Sequence, residues 1–262
     1  MGKHSKSKHS KNGIKIKDKK KMLINVIQVI LIMIIIYSLI KIIDWYDNNK
    51  QSKKIMEDIS NAIVVDTKND DELVADNYHI DFKSLNESNN DTVGFLKVNG
   101  TDITYPVVKG TDNDFYLNHS FDKSYNSAGW IFADYRNKVD GTDRNLIIYG
   151  HNRRDGSMFY TLKNILNEEW YKKQENLKVK FITENENVTY DVFSVYQIEA
   201  EDYYIKTSFN NNEEFEKFLE TIKKRSIYNF NVDLTAQNNI LTLSTCANNN
   251  KYRVVLHAKK IN

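Results

Sequence analysis

Residues 22–43 read MLINVIQVILIMIIIYSLIKII, an apolar run whose only charge is Lys41, near its far end. As a helix it would be about 33 Å long, enough to cross the roughly 30 Å hydrocarbon core of a bilayer. It is apolar on every face, unlike the one-sided stripe of a helix resting on a core. Trp45 and Tyr46 follow it, where an interfacial aromatic belt would sit. Before it, within the first 21 residues, stand nine lysines and one acid, Asp18. The positive-inside rule therefore predicts a cytoplasmic N-terminus and an extracellular remainder. A cleaved signal peptide is the competing reading, but the run is longer than a usual h-region and no small-x-small site follows it. The expected organisation is a cytoplasmic basic tail over 1–21, a transmembrane helix over 22–43, an extracellular linker with a helix over 44–90, and a folded domain over 91–262.

That placement gives the cysteine count its meaning. Cys246 is the single cysteine of the chain, so no internal disulfide can form, and there is neither a paired-cysteine zinc pattern nor an HExxH. No metal site is expected from these patterns. A lone thiol in an oxidising compartment is either a buried, inert side chain or a reactive one. The net charge of +2 over 262 residues gives no basis for nucleic-acid binding.

The linker carries Ile55, Ile59 and Ile63 four apart, with Met56 beside them, a stripe expected to pack a helix on the domain. From Thr92 the pattern changes to short β-like runs at 93–98, 103–108, 129–133, 145–150, 177–183, 188–198, 240–245 and 252–258. Turn signals separate them, among them Asn99-Gly100, Lys109-Gly110 and Asp140-Gly141. Such a series predicts a mainly β domain, a closed or nearly closed β-barrel. Helical spacing interrupts it twice, at 157–166 and at 212–227, where Phe215, Phe218, Leu219 and Ile222 share one face.

The chemistry is sought around Cys246. In ILTLSTC (240–246), strand alternation sets Leu241 and Leu243 on one face and Thr242, Ser244 and Cys246 on the other. A core cysteine would share the leucine face, so the parity favours a reactive thiol. A thiol nucleophile needs a proton-handling partner and a group to hold the developing oxyanion. His151 ends the run NLIIYGH beside Gly150 and suits an acid or base, although His119 and His257 compete within the domain. Arg253, across a short loop from Cys246, would favour a thiolate and hold an anionic oxygen. Taken singly, His151 and Arg253 also read as ordinary surface residues.

Together, TLSTC (242–246), YRVVLHAK (252–259) and YGHNRRDGSMF (149–159) resemble the sortases, class B most closely. TYPVVKGTDNDFYLNHSF (104–121) and GWIFADYRN (129–137) are similar as well. The resemblance implies an eight-stranded sortase β-barrel with an N-terminal helical extension and a helix inserted before the cysteine strand. It implies a transpeptidase in which Cys246 attacks the Thr carbonyl of a C-terminal sorting motif on a secreted protein, His151 protonates the leaving amine, and Arg253 holds substrate and oxyanion. A peptidoglycan precursor amine would then resolve the acyl-enzyme. By matching position, Asn113, Leu117, Tyr204, Ile205 and Ser244 would line the substrate groove. No cofactor is implied, although some relatives use calcium. Two departures stand out: the segment from Cys246 to Arg253 is short, and Ala200 occupies a position where some relatives carry threonine. An extracellular cysteine peptidase that only hydrolyses is a second reading, disfavoured among papain-like enzymes because His151 precedes Cys246. A non-catalytic surface binding module is a third.

Overall fold

The structure, a computed structural model, describes residues 10–60, 62–66, 77–153, 155–246 and 251–261. His4, His9 and most of the loop after Cys246 lie outside them. The chain divides into two compact units, Met1–Asp47 and Asn48–Asn262. Helix α1 is Ser10–Ser60. In the first unit every large apolar side chain from position 22 to 43 is exposed. The Ser38 hydroxyl donates to the Ile34 carbonyl at 2.8 Å, so this polar group is satisfied inside the helix itself. By length and composition the segment can cross a membrane.

In the second unit, Ile55 and Ile59 of α1 are buried as their spacing predicts, whereas Ile63 opens a strand. That strand, β1 (Ile63–Asp66), pairs antiparallel with β2 (Asn77–Ile80) in a small sheet the sequence reading did not anticipate. Helix α2 (Phe82–Ser88) follows, capped by the Asp81 carboxylate, which accepts from Ser84 N at 3.1 Å.

The eight anticipated strands are all present. They are β3 (Thr92–Val98), β4 (Thr104–Val108), β5 (Phe132–Ala133), β6 (Asn145–His151), β7 (Lys178–Ile182), β8 (Asn187–Glu199), β9 (Ile240–Cys246) and β10 (Tyr252–Lys260). They close into a barrel in the order β10-β8-β7-β3-β4-β5-β6-β9, with β9 pairing back onto β10. Two pairings, β4 with β5 and β6 with β9, are parallel, so each spans a long crossover connection. The run expected over 129–133 is strand only at its end, because Gly129 takes φ +61° and turns the chain out of the extended region. The stretch 157–166 settles as a 3-10 helix, Tyr160–Leu166, burying Thr161, Leu162 and Ile165. A short helix α3 (Glu168–Tyr171) continues it.

The barrel holds one core, which includes Leu96, Trp130, Phe159, Leu241, Leu243 and Leu256. A second core lies on the outer face of β8, β9 and β10, under helix α4 (Asn212–Lys224). Phe215, Phe218, Leu219 and Ile222 of α4 pack there against Phe193, Tyr196, Ile240 and Val255. The face that carries Thr242 and Ser244 is therefore polar, as the alternation predicts, yet covered.

Burying polar groups demands that each find a partner. The Thr242 hydroxyl donates to Asn145 Oδ1 at 2.6 Å, because both Asn145 Nδ2 hydrogens go to the Tyr204 and Lys206 carbonyls. His257 Nδ1 must then be the donor to Thr242 Oγ1 (2.8 Å), and His257 Nε2 accepts from the Tyr196 hydroxyl at 2.8 Å. Tyr203 donates in turn to Tyr196 at 3.0 Å. This chain fixes His257 as a neutral, fully buried strut between strands, which removes it from the candidates for acid–base work.

Burial pushes the His257 imidazole down to about 3 from its usual 6.5. A depressed histidine leaves stability intact above the unfolded value and lowers it as pH falls, because only the unfolded chain takes the proton. Between pH 6.5 and about 3 the expected loss is about 1.4 kcal/mol per pH unit, or roughly 2 kcal/mol at pH 5. Urea unfolding of the wild type and of His257→Gln across this range measures it, and the difference between the two slopes isolates this residue.

Candidate active site

The parallel pairing of β6 with β9 builds the site. Its register runs from Asn145 opposite Ile240 to His151 opposite Cys246, so the two last residues of the strands are partners. Parallel neighbours point the same way, which brings both strand ends to one rim of the barrel. His151 and Cys246 were singled out separately in sequence, and their backbones are neighbours here.

His151 is 6% exposed and lies in a seat made by backbone. Its Nε2 is 2.6 Å from the Leu117 carbonyl, which can only accept, so Nε2 carries the hydrogen and Nδ1 carries the lone pair. Leu117 ends the 3-10 turn Phe115–Leu117. Gly129 lies beneath: a Cβ there would meet Tyr116 O at 2.6 Å, Leu117 O at 2.8 Å and His151 Cδ2 at 2.9 Å. Gly150 serves the other side, where a Cβ would strike Ile131 at 2.5 Å and Phe159 at 2.6 Å. Burial pushes the His151 imidazole below its usual value; the Leu117 bond opposes this, and the Arg153 charge adds to it. Arg153 is held by Asp155 at 2.9 Å and donates to Asn49 Oδ1 at 2.5 Å.

Arg253 is half-buried, with Nη1 donating to the Tyr252 carbonyl at 3.4 Å. The β9–β10 ladder ends at Val255 opposite Ser244, two residues short of Arg253 on one strand and of Cys246 on the other. Ser244 is buried, with its hydroxyl 2.9 Å from the Tyr204 hydroxyl. Tyr204 is itself fully buried in the outer core. Ile205 and Leu117 are half-buried and pack on the barrel core. Asn113 accepts from Tyr135 N at 3.0 Å and donates to Asp134 at 3.1 Å. Ala200 N donates to the Lys251 carbonyl. His119 stacks on Phe115, and its Nδ1 lies 2.8 Å from the Phe115 carbonyl.

Sequence reasoning passed over Asp134, Arg136 and Tyr149. Asp134 is fully buried and receives the Arg136 Nε at 2.8 Å, the Arg136 Nη2 at 2.7 Å and the Tyr149 hydroxyl at 2.8 Å. Burial works to raise this carboxyl, but the Arg136 guanidinium and N–H and the Tyr149 hydroxyl outweigh it and hold it below the usual carboxylate range. The signal was the run FADYRN, in which an acid and an arginine stand two apart just past an apolar strand. Among the described residues, no group of three or more His, Cys, Asp or Glu could hold a metal ion.

A sortase domain matches residues 96–261. The chain belongs to the sortase family, class B. Sortase B of Staphylococcus aureus is 33% identical over 226 residues, covering 86% of this chain and 90% of that relative. The crystal structure of Clostridium perfringens sortase B superposes with a TM-score of 0.65 at 39% identity, covering 69% of this chain and all of that one. A Staphylococcus aureus sortase B–substrate complex gives a TM-score of 0.66 at 35% identity, over 70% and 85% of the two chains. Sortases are cysteine transpeptidases, and this chain has one cysteine, Cys246.

Two outcomes follow for the histidine seat. Gly129→Ala forces a left-handed φ on a side chain and a Cβ into two carbonyls, and is expected to cost about 2–4 kcal/mol in urea unfolding. In an NMR titration, the His151 ring is expected to gain its proton below the usual imidazole range, and Arg153→Gln to move that midpoint upward.

Proposed function

We propose that this sortase joins secreted proteins bearing a C-terminal sorting motif to an amine of the peptidoglycan precursor. The observation that carries the reading is the His151–Cys246 register, together with the Leu117 bond that leaves His151 Nδ1 as the nitrogen able to move a proton. The Cys246 thiol gives its proton to Nδ1, and the sulfur attacks the carbonyl of the motif's threonine. Arg253 neutralises the tetrahedral oxyanion. As the intermediate collapses, the C–N bond breaks, the Nδ1 proton passes to the leaving amine, and a thioester remains. The acceptor amine then attacks the thioester, losing its proton through Nδ1 to the departing sulfur. Burial holds the His151 imidazole below its usual value, which favours the neutral, proton-accepting form near pH 7.

The lysine-rich stretch before the apolar helix supports a single-pass anchor with a cytoplasmic N-terminus and an extracellular catalytic domain over 91–262. Asn113, Leu117, Tyr204, Ile205 and Ser244 form or support the substrate groove beside this rim.

The test uses the full chain in detergent micelles with LPxTG-like, NPxTN-like and SPxTG-like peptides, followed by intact-protein mass spectrometry. The expected result is an adduct on Cys246 with one motif, absent in Cys246→Ala. Added acceptor amine should convert the adduct to ligated peptide. Loss of a general acid–base is expected to slow adduct formation about 100-fold or more in His151→Ala. Hydrolysis alone, with the acceptor ignored, would favour the peptidase reading. No adduct from a folded protein whose thiol resists alkylation would favour the binding module.

A further inference from the structure

The segment between β8 and α4 has no strand to pair with, yet three consecutive carbonyls in it are held by side chains from elsewhere. Asn145 Nδ2 donates to Tyr204 O at 3.4 Å and to Lys206 O at 2.9 Å. Arg136 Nη2 donates to Ile205 O at 3.1 Å. The same guanidinium forks onto Asp134, which is fully buried. The remaining capacity of that carboxylate goes to Tyr149 of β6 and to Asn113, in the segment between β4 and the Phe115–Leu117 turn. One ion pair, with a fully buried carboxylate and a guanidinium that is partly exposed, thus touches both segments that run toward the histidine–cysteine rim: 109–118, whose Leu117 carbonyl seats His151, and 203–206, whose Tyr204 reaches Ser244.

We propose that Arg136, locked by Asp134, is a positioning residue for peptide binding: it fixes the separation of the 109–118 and 203–206 segments and thereby the width of the groove between them. This rests on the transpeptidase reading for its kinetic consequence, though not for its structural one. Asn113 then acts mainly as a latch, since both ends of its carboxamide already face protein partners. The guanidinium is specifically required. Two donors engage the carboxylate and Nη2 also reaches Ile205 O, a geometry that the single ammonium of lysine cannot reproduce.

Removing one partner alone would leave a buried charge unpaired and risk unfolding. The test therefore compares the wild type, Arg136→Lys, and the neutral double variant Asp134→Asn with Arg136→Gln, each as the full chain in micelles and checked for a cooperative melt. Hydrogen exchange read by mass spectrometry over 200–211 is expected to accelerate about three-fold or more in the double variant, because the loop loses its Arg136 tether while those from Asn145 remain. KM for the sorting peptide is expected to rise about ten-fold or more while kcat and iodoacetamide alkylation of Cys246 stay within about two-fold. Arg136→Lys should resemble the double variant. The proposal is overturned if exchange over 200–211 is unchanged, if KM holds steady, if alkylation falls in step with kcat/KM, or if lysine restores the wild-type values. A wild type that forms no acyl-enzyme would sink the transpeptidase reading, while the exchange measurement would still decide the tether.

Discussion

Everything in this molecule that bears on chemistry depends on one parallel strand pairing. Strands β6 and β9 lie far apart in the chain, and their side-by-side register is what makes His151 a neighbour of Cys246. A parallel pair cannot be closed by a tight turn. The intervening chain therefore has to travel around the barrel, contributing β7 and β8 and the outer helix α4 on the way. The barrel is in this sense the consequence of aligning two strand ends, and the outer core exists because the crossover has to pack somewhere.

The second organising theme is the treatment of buried polarity. An outer strand face carrying Thr242 and Ser244 would be unremarkable if it met water, but α4 and the segment leading to it cover it. Each hydroxyl must then be paired, and the hydrogen-bond directions propagate from Asn145 through Thr242 and His257 to Tyr196 without a free choice at any step. Asp134 meets the same requirement with a charge, satisfied by a guanidinium, a phenol and amides. Both networks attach the same irregular segment, 203–206, to the barrel, so a loop without ladder bonds is held by side chains from strands.

Much of this was legible in the sequence. The alternation in ILTLSTC separated the leucine face from the threonine–serine face, and the i, i+3, i+4, i+7 spacing of Phe215, Phe218, Leu219 and Ile222 announced α4. What resisted reading was long-range. Nothing local in NYHI tells that it pairs with IVVD rather than lying in a linker. His257 could not be distinguished from His151 by pattern alone, because each sits on a strand; the pairing of both His257 ring nitrogens by side chains from other strands sets it apart. Asp134 looked like a turn residue after a strand, and only the arrival of Tyr149 and Asn113 from other elements turns it into an anchor. Periodicity reports which face a residue occupies, and it does not report what comes to cover that face.

The place of β9 in the barrel has a further consequence. It is laddered to β6 on one side and to β10 on the other, so it presents no open edge along its paired length. Opening this part of the wall requires two ladders to break at once, which sets the strand that carries Cys246 among the last to loosen when the domain breathes.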